Sequence, residues 1–212
     1  MPRRKTFFTE GEYYHIFNRS AFKQPILTKK SDLTFFHQLV QYYLQVKPPI
    51  KFSYYRVNPD RFKIDTKRLV TIISYCYMPN HFHFTLRQEC TNGIQKFMQK
   101  ILNSFSHYYK LKNKIKDPLF ESTFKSVHIE SNEQLLHLSR YHHLNPVTAY
   151  LVEQPEDYEY SSYRQYLVKN YSLIDPSIVL NQFRSKQEYA KFVINRKDYQ
   201  RDLDKIKHLI MQ

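Results

Sequence analysis

The stretch LVTIISYCYMPNHFHFTLR, Leu69–Arg87, decides the fold. Leu69–Tyr77 is rich in β-branched and aromatic residues, the composition of a buried strand. Met78-Pro79-Asn80 supplies the turn, since proline fixes φ and cannot donate to a ladder. His81–Arg87 then returns as a second strand with strict alternation. Phe82, Phe84 and Leu86 share the face suited to a core, whereas His81, His83 and Thr85 share the other. Two imidazoles therefore stand about one strand repeat apart, away from the apolar set, where they can hold one divalent cation. A His-x-His pair alone is a weak signal, because a metal also needs a third ligand and a supporting shell.

Working outward, Tyr13–Asn18 reads as a first strand bounded by Gly11. Ser31 is expected to cap a helix whose positions Leu33, Phe36, Leu39, Val40, Tyr43 and Leu44 follow the helical period, stopped by Pro48-Pro49. Residues 50–68 are basic and aromatic and read as a hairpin arm or long loop. Asn92 with Gln95 predicts a capping box for a long helix with Ile94, Phe97, Met98, Ile101, Leu102 and Phe105 on one face. Lys96, Gln99, Lys100, Asn103, His107 and Lys110 fall largely elsewhere, on a solvated or DNA-facing side. Phe124–Ile129 is the expected last strand, and Ser131 with Gln134 predicts a second capping box for a helix through Leu135, Leu138 and Tyr141. Beyond Pro155 comes a polar, Tyr-rich connector and then helical, basic material. This order of elements suggests an α+β chain built on a ferredoxin-like antiparallel sheet, with helices on one face and a C-terminal helical extension.

Composition narrows the function classes. The chain has 212 residues, compatible with one domain and an appendage, and only two glycines, Gly11 and Gly93. Neither a dinucleotide fingerprint nor a P-loop can be built from them. Cys76 and Cys90 make neither a zinc finger nor a disulfide framework, which favours a reducing compartment. The longest apolar run is far short of a membrane span, and an apolar segment does not follow the basic opening residues. The expected location is the cytoplasm, without a membrane partner. Lys and Arg total 33 against 19 Asp and Glu, a formal net charge of +14, which points to a polyanion. With 19 Tyr and 16 Phe, stacking on unpaired bases is a natural companion to phosphate neutralisation. Residues 131–160 break the basic pattern, with Arg140 alone against five acids.

The run Cys76–Asn80 leading into His81-Phe82-His83-Phe84 resembles the HUH single-tyrosine transposases, in particular the REP-associated tyrosine transposases of the IS200-like group. Tyr14-His15-Ile16-Phe17-Asn18-Arg19 is similar to their first strand. Pro118-Leu119-Phe120 and Phe124-Lys125-Ser126 resemble the segment after their long helix. Leu138–Val147 resembles their nucleophile helix, and Pro155–Tyr158 with Ser161-Ser162-Tyr163 the segment that follows. The likeness spans roughly residues 12–167; residues 47–68 and the tail depart from it. It implies a catalytic domain over 1–167, with the HUH endonuclease fold, and a basic helical extension over 168–212.

The resemblance implies a DNA endonuclease and strand-transferase in which Tyr141 attacks a phosphodiester of single-stranded, hairpin-bearing DNA and becomes esterified to the 5′ phosphate. It implies a Mg²⁺ or Mn²⁺ ion on His81, His83 and Asn145. Asn145 lies one helical turn after Tyr141, although Pro146 disfavours helical dihedrals there and predicts a distorted helix end. Sequence pattern alone leaves Tyr108 and Tyr109 as rival nucleophiles. His142 and His143 read as surface histidines that alternatively tune the tyrosine or touch DNA, and His15 reads as structural. Candidate DNA contacts are Arg3, Arg4, Lys5, Arg56, Lys96, Lys100, Lys110 and Lys125. Whether Tyr141 meets the histidines within one chain or across a homodimer stays open. Two other readings remain: a DNA-binding regulator that has lost catalysis on the same fold, and a phosphodiesterase that uses water.

Overall fold

A computed structural model describes residues 7–168 and 173–195. Four strands form the sheet: β1 (Tyr13–Arg19), β2 (Val70–Met78), β3 (His81–Gln88) and β4 (Lys125–His128). Their order is β2-β3-β1-β4, with every neighbouring pair antiparallel. Helix α1 (Lys30–Tyr43) and the short α2 (Phe52–Tyr55) connect β1 to β2, and α3 (Gly93–Asn113) connects β3 to β4. This is the expected ferredoxin-like topology. After it come α4 (Asn132–Thr148), α5 (Tyr163–Leu167), α6 (Ser177–Leu180) and α7 (Lys186–Ile194).

Side-chain alternation gives the sheet two different faces. Phe82 and Phe84 turn toward α1 and α3, where Phe82 packs on Phe36 and Phe84 on Phe97. Ile94, Phe97, Met98, Ile101, Leu102 and Phe105 are all buried, so the apolar stripe of α3 is the core stripe the sequence predicts. The opposite face is covered as well. Helix α4 lies across β2 and β3 there, and His142 meets Ser74 and His83. Helices thus occupy both sides of the sheet, with α1 and α3 on one and α4 with the C-terminal helices on the other.

Local chemistry departs from expectation in several places. Ser31 lies inside α1, whose N-cap is Lys29, and its hydroxyl accepts from Lys112 Nζ instead. Residues 50–68 form no hairpin; α2 and a short 3₁₀ turn over Pro59–Arg61 fold this basic, aromatic connection into helical turns. Asn92 has left-handed dihedrals (φ 61°, ψ 21°) and caps nothing with its side chain. An N-cap needs extended dihedrals to aim its side chain at the N3 amide, so the capping box with Gln95 does not close. Ser131 does cap: its hydroxyl accepts from Gln134 N, and Gln134 Oε1 accepts from the Glu130 amide.

Gly93 starts α3 against the backbone of Leu69, and a Cβ there would stand 2.1 Å from the Leu69 carbonyl oxygen. Leu69 precedes β2, so this contact sets how α3 leaves the sheet. Gly93→Ala is expected to destabilise the protein by about 1–3 kcal/mol, read as a thermal midpoint several degrees lower. An unchanged midpoint would show that the start of α3 can shift away from Leu69 without loss.

Candidate active site

Strand β3 presents His81 and His83 opposite the apolar core, and antiparallel pairing with β1 sets Arg19 across from His81 and Phe17 across from His83. Helix α4 brings Tyr141 over this face, its ring centroid 5.3 Å from that of His83. These five meet in a cavity of about 320 Å³ together with His15, Asn18, Glu121 and Lys125. Candidate nucleophile and histidines therefore come together within one chain. Tyr141 is partly exposed, at 37% of its surface. The rival Tyr108 lies on the other side of the sheet, stacked on Phe35 and donating its hydroxyl to Asp32 Oδ1, and Tyr109 on the same helix packs against Phe105.

The partners of His81 and His142 fix their tautomers. Asn80 Oδ1 can only accept, and it sits 2.6 Å from His81 Nδ1, so Nδ1 carries the proton and Nε2 keeps its lone pair. His83 Nδ1 is 3.0 Å from His15 Nε2, and His83 Nε2 is buried without a partner. Ser74 Oγ donates to Thr85 Oγ1 and so accepts from His142 Nδ1 at 2.8 Å, which leaves His142 Nε2 buried and also unpartnered. Metal-ligating histidines characteristically use one ring nitrogen for the ion and hold the other by a hydrogen bond. His81 and His83 have that arrangement.

Burial keeps these rings neutral, the form a metal requires. It pushes the pKa of His15 down to about 4, and that of His81, with help from Arg19, also to about 4. His83 is lowered well below the ordinary value by burial and then by His81, His15 and Arg19. Ligand atoms of His15, His83 and His142 lie within 4.8 Å of one another, so this histidine cluster suits a divalent metal. Asn145 lies in the last turn of α4, and the helix runs past Pro146 to Thr148 rather than ending in distortion. Its side chain is nearly buried and its Nδ2 has no partner.

Three histidines differ from their sequence reading. His142 and His143 are not surface residues but fully buried, and His15 reaches the ring of His83. The sequence carried no signal of this, because it depends on the register of β1 against β3 and on which side of the sheet receives α4. Arg19 and Glu121 were also missed. Arg19 shares a strand face with His15 and Phe17, a pattern visible only once that face is known to hold a site.

The proposed DNA-contacting cations are dispersed. Lys125 lines the cavity with Tyr141. Arg56 lies over the Phe35 ring and Lys100 over Tyr43. Lys96 is exposed on α3, and Lys110 Nζ donates to the Lys116 carbonyl. Arg3, Arg4 and Lys5 lie outside the described residues.

An antiparallel β2-β3-β1-β4 sheet with a histidine strand facing a tyrosine helix is the HUH endonuclease fold. Sequence comparison points the same way: residues 61–143 match the family described as "Transposase IS200 like". A solved structure of a REP-associated tyrosine transposase bound to a REP hairpin superposes with a TM-score of 0.55 at 15% identity, covering 82% of this chain and 98% of that one. The chain is thus similar to the single-tyrosine transposases in both sequence pattern and fold. No curated protein matches it. Among the described residues no helix is long and apolar enough to cross a membrane.

The buried neutral histidines make stability depend on pH. His143, fully buried between the Tyr189 and Ser162 hydroxyls at 2.7 and 2.8 Å, has its pKa pushed by burial down to about 3. An unfolded histidine binds its proton near pH 6.5. Below that pH the unfolded chain holds more protons than the folded one, so stability is complete above about pH 6.5 and declines as pH falls toward 4 and then 3. Thermal midpoints measured between pH 7 and 4.5 should fall steadily, and His143→Gln should flatten the slope. A midpoint constant across that range would contradict burial of neutral rings.

Proposed function

We propose that the protein is a metal-dependent single-stranded DNA endonuclease and strand-transferase, a transposase or a relative of one, acting on hairpin-bearing DNA through Tyr141. The observation that supports this best is the meeting of the Tyr141 ring with His83, His81, Arg19 and Lys125 in one cavity within one chain. The proposed metal ligands are His81, His83 and Asn145, and the proposed ion is Mg²⁺ or Mn²⁺. The unpartnered His83 Nε2, and the Nδ1 bond that leaves His81 Nε2 its lone pair, fit such an ion; Asn145 does not line the cavity and would have to ligate through Oδ1, its unpartnered atom being the Nδ2 donor. When bound, the cation supplies Lewis-acid charge to a non-bridging oxygen of the scissile phosphate.

The chain's own groups do the remaining work. Arg19 and Lys125 attract the phosphodiester and offset the charge that develops at phosphorus. Helix α4 holds the Tyr141 oxygen for in-line attack. As the bond from that oxygen to phosphorus forms, the bond to the 3′ oxygen breaks, and that oxygen takes up a proton from solvent to leave as a 3′ hydroxyl. A phenol is a weak acid, so the Tyr141 proton must depart as the bond forms; Glu121, the carboxylate on the cavity wall, or water behind it receives it. The product is a 5′-phosphotyrosine that conserves the bond energy for transfer to another 3′ hydroxyl. Residues 1–167 are taken as the catalytic unit and 168–212 as an extension, in which α7 braces α4.

The test is incubation of the full chain with labelled hairpin DNA carrying single-stranded flanks and Mn²⁺, followed by denaturing electrophoresis. Tyr141→Phe should abolish both covalent adduct and cleavage. His83→Ala, or chelation of the metal, should reduce cleavage by about two orders of magnitude or more, the scale of losing an electrostatic catalyst. Cleavage that survives Tyr141→Phe without an adduct would favour a water-using phosphodiesterase, and binding without cleavage a DNA-binding regulator.

A further inference from the structure

A second concavity, about 640 Å³, lies between α3 and the connection over residues 118–124. Along its helical wall Gln95, Gln99 and Asn103 recur at intervals of four, so their amides stand on one face of α3. Leu102 and Leu119 give it an apolar floor and half-buried Phe120 an aromatic surface. Lys110 closes one end, and no carboxylate lines it.

The connection that forms the other wall is shared with the candidate active site. Glu121 and Lys125 face the catalytic cavity, whereas Phe120, Ser122 and Thr123 line the groove. Buried Asn18 pins this wall by donating Nδ2 to the Ser122 and Thr123 carbonyls at 2.9 and 3.2 Å. A strand leaving the cavity would have only this wall to cross to reach the groove.

We propose that the groove binds unpaired nucleobases of the single strand that continues from the scissile phosphate, so that α3 acts as a base-reading face. The inference rests on the single-stranded DNA substrate proposed above. Amides offer donors and acceptors side by side, the pattern that matches base edges, and an aromatic surface beside them suits stacking. A cation without a competing acid suits the accompanying phosphates. Gln95 adds an independent sign. Its Oε1 is buried with no partner, because the left-handed Asn92 leaves no capping box for it to close. A buried unpaired acceptor is costly, and rotation of the Gln95 amide into the groove would let it accept from the exocyclic amino group of adenine, cytosine or guanine.

The test compares two probes without metal, so that cleavage does not intervene. One is a mixed-sequence single strand of about twenty nucleotides, and the other is the same length with abasic sites along it. The wild-type chain should prefer the base-bearing strand by about tenfold, within the range of base–aromatic stacking. Gln99 and Asn103 are exposed, so the Gln99→Ala/Asn103→Ala double variant should keep its fold, checked by thermal midpoint. It should reduce the preference to below about threefold while leaving affinity for the abasic strand unchanged. Phe120→Ala is the second variant and should lower the preference in the same way. A preference undiminished in both variants, or none in the wild type, would overturn the proposal. Adduct formation with Mn²⁺ on hairpin DNA distinguishes the cases. An adduct with a flat base preference removes the groove alone, and absence of both binding and adduct removes the parent reading too.

Discussion

The alternation of side chains along β3 is the constraint on which the site depends. Phe82, Phe84 and Leu86 are wholly buried in the layer formed with α1 and α3. Burying aromatic and aliphatic side chains of this size is worth roughly 1.5–3 kcal/mol each. A one-residue slip of β3 would turn all three out of that layer and drive His81 and His83 into it. The core therefore fixes the histidines, and a pair of imidazoles that costs stability through burial is held in place by the apolar side of the same strand.

The second requirement is that α4 sit at a defined height over the histidine face. Two buried polar connections, made by consecutive residues of the helix, do this. His142 reaches Ser74 on β2, which in turn donates to Thr85 on β3. His143 bridges Ser162 and Tyr189, and Tyr189 also donates to Ser139. Because unsatisfied buried polar groups are expensive, these bonds specify one rotation and one register of the helix, which apolar packing alone would define less sharply. Tyr141 precedes the pair and emerges at the cavity. Consecutive residues thus divide the labour, one facing the cavity and the next two anchoring the helix.

The order of elements was legible because each rests on local chemistry. β3 alternates, α3 has an unbroken 3.6-residue stripe, and the Ser131–Gln134 cap marks the start of α4. The His81–His83 pair was legible for the same reason. What was not legible is whatever depends on pairing between distant strands or on the choice of sheet face. His15, Arg19 and His142 enter the site only because β1 lies beside β3 and α4 crosses behind them. The Asn92–Gln95 box failed for a related reason: Gly93 must approach the Leu69 backbone closely, and that tertiary contact, absent from any local pattern, goes with left-handed dihedrals at Asn92.

The charge distribution now has a physical reading beyond a basic chain seeking a polyanion. The acids of the 131–160 segment, Glu133, Glu153, Glu156, Asp157 and Glu159, are all exposed, so solvent screens them from the buried face of α4. On that face the histidines are held neutral and contribute no net charge. The charged groups at the cavity are therefore Arg19, Lys125 and Glu121, two cations against one anion, a net positive charge that suits the phosphodiester of the proposed substrate. In the proposed mechanism a cation on the free imidazole nitrogens would add further positive charge there. Neutral, desolvated imidazoles keep that position open near neutral pH, because protonating them would place unpaired charge in a buried layer.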